Sequence, residues 1–283
     1  MGTALITGAS AGLGEEFAWH LATAGHDLVL VARNEQRLNT LAAEMSQAAG
    51  VGVQVLAADL STPEGLERVT ERLRTGTALG ERDQLASGGA PCETVPHTAE
   101  DVAGRCVDLL VNNAGFAVGQ AFVGGDLEQE LRALEVMVRA VLVLTHAAVP
   151  GMVERGHGAV LNVSSMVALT AMGTYAAHKA WVRTFTEALA SELHGTGVTA
   201  TSVHPGLTRT EFHERAGMSE ENWPDLVWLE AEQVVEEALA AVRRGQVLCT
   251  PSLRYRSANA ALRMAPRWIV RRVSGHGSQR TQY

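Results

Sequence analysis

The chain of 283 residues is 46% hydrophobic and 19% charged, which indicates a globular protein with enough apolar mass for a sizeable core. Its formal net charge of −8 argues against nucleic acid as a partner. Three cysteines without a CxxC pair predict neither a disulfide framework nor a metal site, so we expect a reducing, cytoplasmic location. We see no signal peptide pattern and no run of about 18 apolar residues that predicts a membrane span.

Short apolar runs alternate with amphipathic segments of helical length. Most runs are continuously apolar, which is typical of strands buried on both faces of a parallel sheet. The alternation predicts a doubly wound α/β sheet over residues 1–251. The predicted strands are TALIT, DLVLVA, VQVLAAD, VDLLVNNA, GAVLNVSS and VTATSVHP, and long helices are predicted at 13–25, 34–50, 128–156 and 175–197.

A glycine-rich turn, ITGASAGLGEEF, follows the first predicted strand. A turn without side chains lets the backbone approach a pyrophosphate at the positive end of a helix. The alternative is a tight strand-to-helix turn that binds nothing. The predicted cofactor contacts in this turn are Gly8, Ser10, Ala11, Gly12, Leu13 and Gly14.

Arg33 stands at the end of the second predicted strand. Proteins that bind NAD usually carry an acidic residue there, which holds the ribose hydroxyls. A guanidinium suits the 2′-phosphate of NADP instead. A solvated surface arginine is the alternative, but we predict NADP(H) as the cofactor.

Two stretches interrupt the alternation. Residues 75–104 are rich in Gly, Ala, Thr and Pro without a period, so we predict a long exposed insertion. Residues 252–283 form a basic C-terminal extension, because no acidic residue follows Glu237. One short helix is predicted in this extension, around 259–273.

Tyr175 and Lys179 form the pair that points most directly to chemistry. Lys179 is the only lysine among 23 basic residues. The four-residue spacing puts both on one face of a helix. There the ammonium and an oxidised nicotinamide would both lower the tyrosine pKa from its ordinary value of about 10. Such a tyrosine can exchange a proton with a carbonyl or alcohol oxygen. The alternative is that Tyr175 and Lys179 are merely neighbours, four residues apart, on the solvent-exposed face of a helix.

Six motifs resemble, in their order, the classical type of the short-chain dehydrogenase/reductase superfamily. They are Gly8–Gly14, Asp59–Leu60, NNAG at 112–115, NVSS at 162–165, YAAHK at 175–179 and HPGLTRT at 204–210. The resemblance covers about residues 3–212. It implies a single Rossmann-like domain, with a parallel sheet of about seven strands flanked by helices.

The same resemblance implies an NADP(H)-dependent enzyme that interconverts a carbonyl and an alcohol. Tyr175 would be the general acid and base, Lys179 would bind ribose, and Ser165 would orient the substrate oxygen. Asp59 would face the adenine, with a helix cap as its alternative role. Asn112, Asn113, Ala114 and Gly115 would line the adenosine side of the cofactor, and Pro205, Gly206 and Thr210 would pack on or hydrogen-bond its nicotinamide. The remaining implied cofactor contacts are Leu60 and Thr208.

Three departures from the family pattern lie near this chemistry. Met137 replaces an Asn that helps hold a water in the family's proton relay. The Ser165–Tyr175 spacing is about three residues short, which leaves Ser164, Thr170 or Thr174 as alternatives to Ser165. His178 precedes the lysine, and we expect it on the helix surface. The competing hypothesis is therefore a nucleotide-binding protein whose catalysis has decayed.

Residues 207–230 lie where the family has its substrate lid. Their apolar residues, Phe212, Met218, Trp223 and Trp228, favour a small apolar substrate over a sugar. Helices around 131–153 and 175–194 resemble the pair that forms dimers and tetramers in the family, so we expect a homodimer or homotetramer. We do not expect the basic extension to bind membranes, although its Trp268 and arginines would suit an anionic surface.

Overall fold

The structure, a computed structural model, describes residues 2–75, 98–210 and 224–274. Seven parallel strands form one sheet in the order β3-β2-β1-β4-β5-β6-β7. Their bounds are β1 Thr3–Thr7, β2 Asp27–Ala32, β3 Val53–Ala57, β4 Leu109–Asn112, β5 Gly158–Val163, β6 Val198–Val203 and β7 Leu248–Cys249. The strand order reverses between β1 and β4, which is where ligands bind in sheets of this kind. The Rossmann-like, doubly wound fold is confirmed.

Helices cover both faces of the sheet. The described helices are α1 Gly12–Thr23, α2 Glu35–Ala49, α3 Pro63–Arg74, α4 Ala99–Ala103, α5 Leu127–Leu134, α6 Ala140–Arg155, α7 Gly173–Glu192, α8 Ala231–Arg243, α9 Leu253–Met264 and α10 Arg267–Ser274. Successive residues of β1 point to opposite faces: Ile6 packs in the core beneath α1, α2 and α8, and Leu5 in the core beneath α3 and α6. Both faces are apolar because both are covered.

Helices α5 and α6 form one continuous rod, joined by a π turn at Glu135–Arg139. In the described residues, this rod, Leu127–Arg155, is the one helix long and apolar enough to cross a membrane, and half of its apolar window is buried inside the fold. Helix α6 packs on α3 and on β5. Leu144 and Met152 lie fully in the core. We therefore describe the rod as a core helix.

Part of the predicted insertion is ordered differently from our expectation. Residues 98–103 form a capped helical turn rather than an exposed loop, because the Thr98 hydroxyl and the Asp101 carboxylate cap it reciprocally. Val102 is buried, and its carbonyl accepts a hydrogen bond from Arg72 at 2.8 Å. The rest of the insertion, 76–97, lies outside the described residues.

The C-terminal extension contains two helices, not the one that was predicted. Pro266 separates α9 from α10, because proline has no backbone N–H to donate and its ring clashes with the preceding helical turn. Val270 of α10 is buried, so the extension packs on the body of the domain. Residues 275–283 lie outside the described part.

Candidate active site

The turn between β1 and α1 requires glycine at particular positions. A Cβ on Gly14 would overlap the carbonyl oxygen of Gly8 and the side-chain amide of Asn113. Gly8 and Gly12 have φ angles of 68° and 55°, which glycine adopts without strain. The backbone of this turn is therefore free to lie directly against a ligand.

Helix α1 begins without a side-chain cap. Its N-cap residue is Ala11, and no side chain accepts a hydrogen bond at this cap. The first N–H groups of a helix need acceptors and carry partial positive charge. This end of α1 suits a phosphate group.

Asn113 fixes the end of β4 beside the glycine turn. Its side-chain amide donates to the carbonyls of Thr7 at 3.0 Å and Gly8 at 3.3 Å. In return, the Thr7 hydroxyl accepts from the backbone N–H groups of Asn113 and Ala114, at 3.0 and 3.1 Å. The predicted residues of the NNAG motif thus lie at the switch point of the sheet.

Asp59 follows β3 and lies between two arginines. Its carboxylate accepts from the N–H and hydroxyl of Ser61 at 2.9 and 2.7 Å, and from Arg132 at 3.3 Å. Burial raises the pKa of Asp59, but the Ser61 hydrogen bonds and the charges of Arg132 and Arg33 lower it overall. Arg132 adds a second cation here that the sequence analysis missed.

The alternative role of Asp59 as a helix cap is wrong. Thr62 caps α3, because its hydroxyl accepts from the N–H of Gly65 at 3.1 Å. Leu60, beside Asp59, is buried in the core under α3.

Ser165, Tyr175 and Lys179 come together at the carboxyl end of β5. The side chain of Ser165 forms a hydrogen bond with that of Tyr175. The ammonium of Lys179 lies 5.7 Å from the centre of the Tyr175 ring and donates to the Val163 carbonyl at 2.8 Å. The short spacing does not separate the two hydroxyls, because a 3₁₀ turn at Met166–Leu169 leads directly to α7.

Two of the alternative hydroxyls are engaged elsewhere. Ser164 is buried, and its hydroxyl donates to the carbonyl of Lys179 at 2.7 Å. The Thr170 hydroxyl donates to the carbonyl of Val167 at 2.7 Å. Thr174 is half-buried one residue before Tyr175. Ser165 is the hydroxyl that meets the phenol.

Burial governs the protonation of the Tyr175–Lys179 pair. It raises the pKa of Tyr175 above its ordinary value, although the Ser165 hydrogen bond lowers it. It also lowers the pKa of Lys179 from 10.5 to about 8. This direction is opposite to the predicted lowering of the Tyr175 pKa, because burial outweighs the hydrogen bond with Ser165. The phenol is held protonated, in the form that can donate.

Met137 lies at the back of this pair. It is buried within the π turn, and a Cβ on Gly115 would lie 3.3 Å from both its Cγ and the Lys179 Nζ. A thioether is only a weak acceptor. The π turn bonds the Ala140 N–H to the Glu135 carbonyl, a pattern that is rare and frequent at functional sites.

The segment from Pro205 to Thr210 forms the opposite wall. The Pro205 carbonyl accepts from Met166 N–H at 3.0 Å, and the Gly206 carbonyl accepts from the Thr208 hydroxyl at 3.1 Å. A Cβ on Gly12 would lie 3.3 Å from Thr210, so this segment reaches the glycine turn. The two parts of the predicted cofactor site are adjacent.

Trp228, predicted to line the substrate pocket, is buried, and the Arg209 guanidinium lies 5.8 Å from its ring. This is a packing role. Phe212, Met218 and Trp223 lie outside the described residues.

Two buried histidines were misjudged or missed. His178 is buried, so the expectation that it lies on the helix surface is wrong. Its spacing of four residues from the apolar Val182, which is buried on the inward face of α7, was the signal. His204 is buried at the end of β6, and its Nε2 has no hydrogen-bond partner among the described residues. Burial lowers the pKa of His204 to about 4, and the charges of Arg183 and Arg263 act in the same direction.

Fold and site together define a Rossmann-like dehydrogenase. The chain belongs to the short chain dehydrogenase family, whose profile matches residues 2–90 and 90–221. Sulfoacetaldehyde reductase 2 of Chromohalobacter salexigens is 33% identical over 242 residues, which cover 82% of this chain and 84% of that protein. A short chain dehydrogenase of Pseudocercospora fijiensis is 34% identical over 215 residues, 74% of this chain but only 60% of that protein.

A solved structure gives the same result for the fold. The short-chain dehydrogenase from Sphingobium yanoikuyae, in complex with NADPH, superposes with a TM-score of 0.76 at 33% identity. The match covers 93% of this chain and 94% of that one.

The pKa of His204 predicts an acid sensitivity. Between its ordinary pKa of 6.5 and about 4, the unfolded state binds more protons than the folded state, so stability falls as the pH drops through this window. Urea titrations at pH 7 and pH 4.5 should show this His204 contribution as about 2 to 3 kcal/mol. In His204→Gln the loss should be smaller by that amount. Equal losses in both proteins would contradict the assignment.

Proposed function

We propose that the protein is an NADP(H)-dependent oxidoreductase that interconverts a ketone or aldehyde and an alcohol on a small apolar substrate. One observation carries the proposal: the hydroxyl of Ser165 meets that of Tyr175 beside the buried Lys179, at the carboxyl end of β5. We also propose a cytoplasmic location, because the three cysteines of the sequence form no CxxC pair and are odd in number. Fractionation of host cells tests that location.

The residues present fit the proposed cofactor. Glycine at 14 lets the start of α1 pack closely on the turn at Gly8, and the uncapped N–H groups at this start suit a pyrophosphate. Arg33 and Arg132 near Asp59 suit a 2′-phosphate, and a structural relative carries NADPH. When bound, NADPH supplies the hydride.

The chain's own residues supply the proton and orient the substrate. Ser165 would donate a hydrogen bond to the carbonyl oxygen and polarise it. Tyr175 would give its phenolic proton to the same oxygen as negative charge develops there. Lys179 would then stabilise the phenolate by its positive charge, which is worth more in a buried site.

Removal of the phenolic oxygen should abolish turnover and leave binding intact. We expect Tyr175→Phe to lower kcat by at least about 10²-fold, because the variant lacks the phenolic proton that the substrate oxygen must receive. Ser165→Ala should lower kcat by about 10²-fold through loss of polarisation. The assay follows NADPH absorbance with a diketone and a panel of apolar aldehydes and ketones.

Thr174→Val is the matched control, because it removes the neighbouring hydroxyl at the start of α7. It should change kcat by less than about threefold, the effect of a surface-type substitution. A large effect of Thr174→Val with none of Ser165→Ala would transfer the serine role to Thr174. If wild type binds NADPH and turns over nothing in a wide substrate search, the nucleotide-binding hypothesis replaces the enzyme.

The choice of NADP over NAD depends on Arg33. We expect Arg33→Ala to weaken NADPH binding about tenfold or more and to leave NADH binding unchanged, because a charge-assisted hydrogen bond to the 2′-phosphate is lost. Arg37→Ala is the control, since its guanidinium is already paired with Glu15 at 2.8 Å. Fluorescence titration with both nucleotides measures the difference. Unchanged NADPH affinity in Arg33→Ala would contradict the preference.

We also propose that two copies of the chain pair through the α5–α6 rod. Leu127, Leu131 and Leu134 are 66%, 52% and 42% exposed, and their spacing puts them on one face. Leu131→Arg should therefore shift the protein to monomer in light scattering after gel filtration, because a charge would be buried between the copies. Leu253→Arg, at a residue 75% exposed on α9, is the control and should not change the mass. An unchanged oligomer in Leu131→Arg would exclude this face.

A further inference from the structure

We infer that Tyr255, in the C-terminal extension, is a positioning residue for the Pro205–Gly206–Leu207 loop. The C-terminal extension would then be a part of the cofactor site rather than a separate appendage. This inference rests on the proposed function, because the loop is assigned to the nicotinamide half of NADP(H). It depends on contacts of Tyr255 with the backbone of the loop from two directions.

The ring of Tyr255 packs directly on Gly206. A Cβ built on Gly206 would overlap three atoms of the ring, including Cζ, which carries the hydroxyl. Only a residue without a side chain lets the ring approach this closely. The contact explains in this chain why glycine is needed at 206, since its φ lies outside the left-handed region.

The hydroxyl of Tyr255 joins two backbone segments. It accepts from the Leu207 N–H at 3.1 Å and donates to the Val227 carbonyl at 2.6 Å. A second pair of bonds holds the same segments together, since the Leu207 carbonyl accepts from the Leu229 N–H at 2.8 Å and the Leu229 carbonyl from the Arg209 N–H at 2.9 Å. Among the described residues, Tyr255 is the only side chain that we find bonded to the N–H of Leu207.

A strained junction aims Tyr255 at the loop. Ser252, which precedes α9, has a φ of 71°, the one positive φ outside glycine in the described residues. Such a conformation persists only where its surroundings hold it. The Ser252 N–H donates to the Glu237 carboxylate at 3.1 Å, and Arg256 donates to the same carboxylate at 2.8 Å. These bonds turn the chain from β7 back over the site.

Helix α10 attaches the extension to the other side of the reaction centre. Arg267 donates to the Leu169 carbonyl at 2.9 Å, and the Ser274 hydroxyl accepts from the Ala171 N–H at 3.2 Å. Leu169 and Ala171 both lie in the short segment between Ser165 and Tyr175. The extension thus contacts the loop that carries the reacting hydroxyls as well as the loop at Gly206.

The test compares affinity for NADPH with affinity for 2′,5′-ADP, which carries only the adenosine half. Tyr255→Phe keeps the ring and removes the bridge, so NADPH binding should weaken about fivefold. Tyr255→Ala removes both contacts and should weaken it about tenfold or more. Affinity for 2′,5′-ADP should not change in either variant, because that half binds at Arg33 and α1. Leu253→Ala, in the same turn of α9, should match wild type.

The outcomes separate this inference from the proposed function. NADPH affinity unchanged in both tyrosine variants would overturn the inference and leave the enzyme assignment standing. Equal weakening of NADPH and 2′,5′-ADP would also overturn it, because the tyrosine would then support the whole fold. A wild type that binds no NADPH would overturn the proposed function and the inference with it. Melting temperatures of all variants establish that each is folded.

Discussion

The attachment of α7 to the end of β5 is the constraint on which the whole site depends. Three consecutive residues of one strand end bind this helix: the Val163 carbonyl accepts from Lys179 Nζ, the Ser164 hydroxyl donates to the Lys179 carbonyl, and Ser165 meets Tyr175. Because the two bonds of Lys179 are buried, breaking either of them leaves a polar group without water. Helix and strand are thereby held in the register that a proton transfer requires.

A buried network of amides and hydroxyls holds the strands behind that attachment. Asn112 on β4 donates to Asn162 on β5 at 2.9 Å and to Thr145 on α6 at 3.1 Å. Asn162 in turn donates to Thr186 on α7 at 2.9 Å. A fully satisfied polar network specifies one arrangement more strictly than apolar packing, since every alternative leaves a partner unpaired. The network explains why polar residues interrupt otherwise apolar strands near the site.

The sequence predicted the parts of the fold that repeat a simple pattern. The apolar runs at β1 and β2 match the strands residue for residue, because strands buried on both faces need continuous apolar residues. The two-residue β7 and the capped turn of α4 are too short to leave a period. The contact of Tyr255 with Gly206 could not be predicted, because it joins residues far apart in sequence through a conformation at Ser252 that the residue type disfavours. The direction of the Tyr175 pKa shift was mispredicted, because the four-residue spacing reveals a neighbouring ammonium but does not reveal that the phenol is shielded from solvent.

The only lysine in an arginine-rich chain has a physical explanation in this geometry. Its Nζ lies beside the Val163 carbonyl and the Tyr175 ring, and a Cβ on Gly115 would lie 3.3 Å from both this Nζ and the Cγ of Met137. A guanidinium is planar and larger, and it does not lose its charge when buried. An ammonium fits the space, and burial brings its pKa to about 8, close to neutrality. Lysine can therefore both carry charge beside the phenol and release a proton there, which arginine cannot.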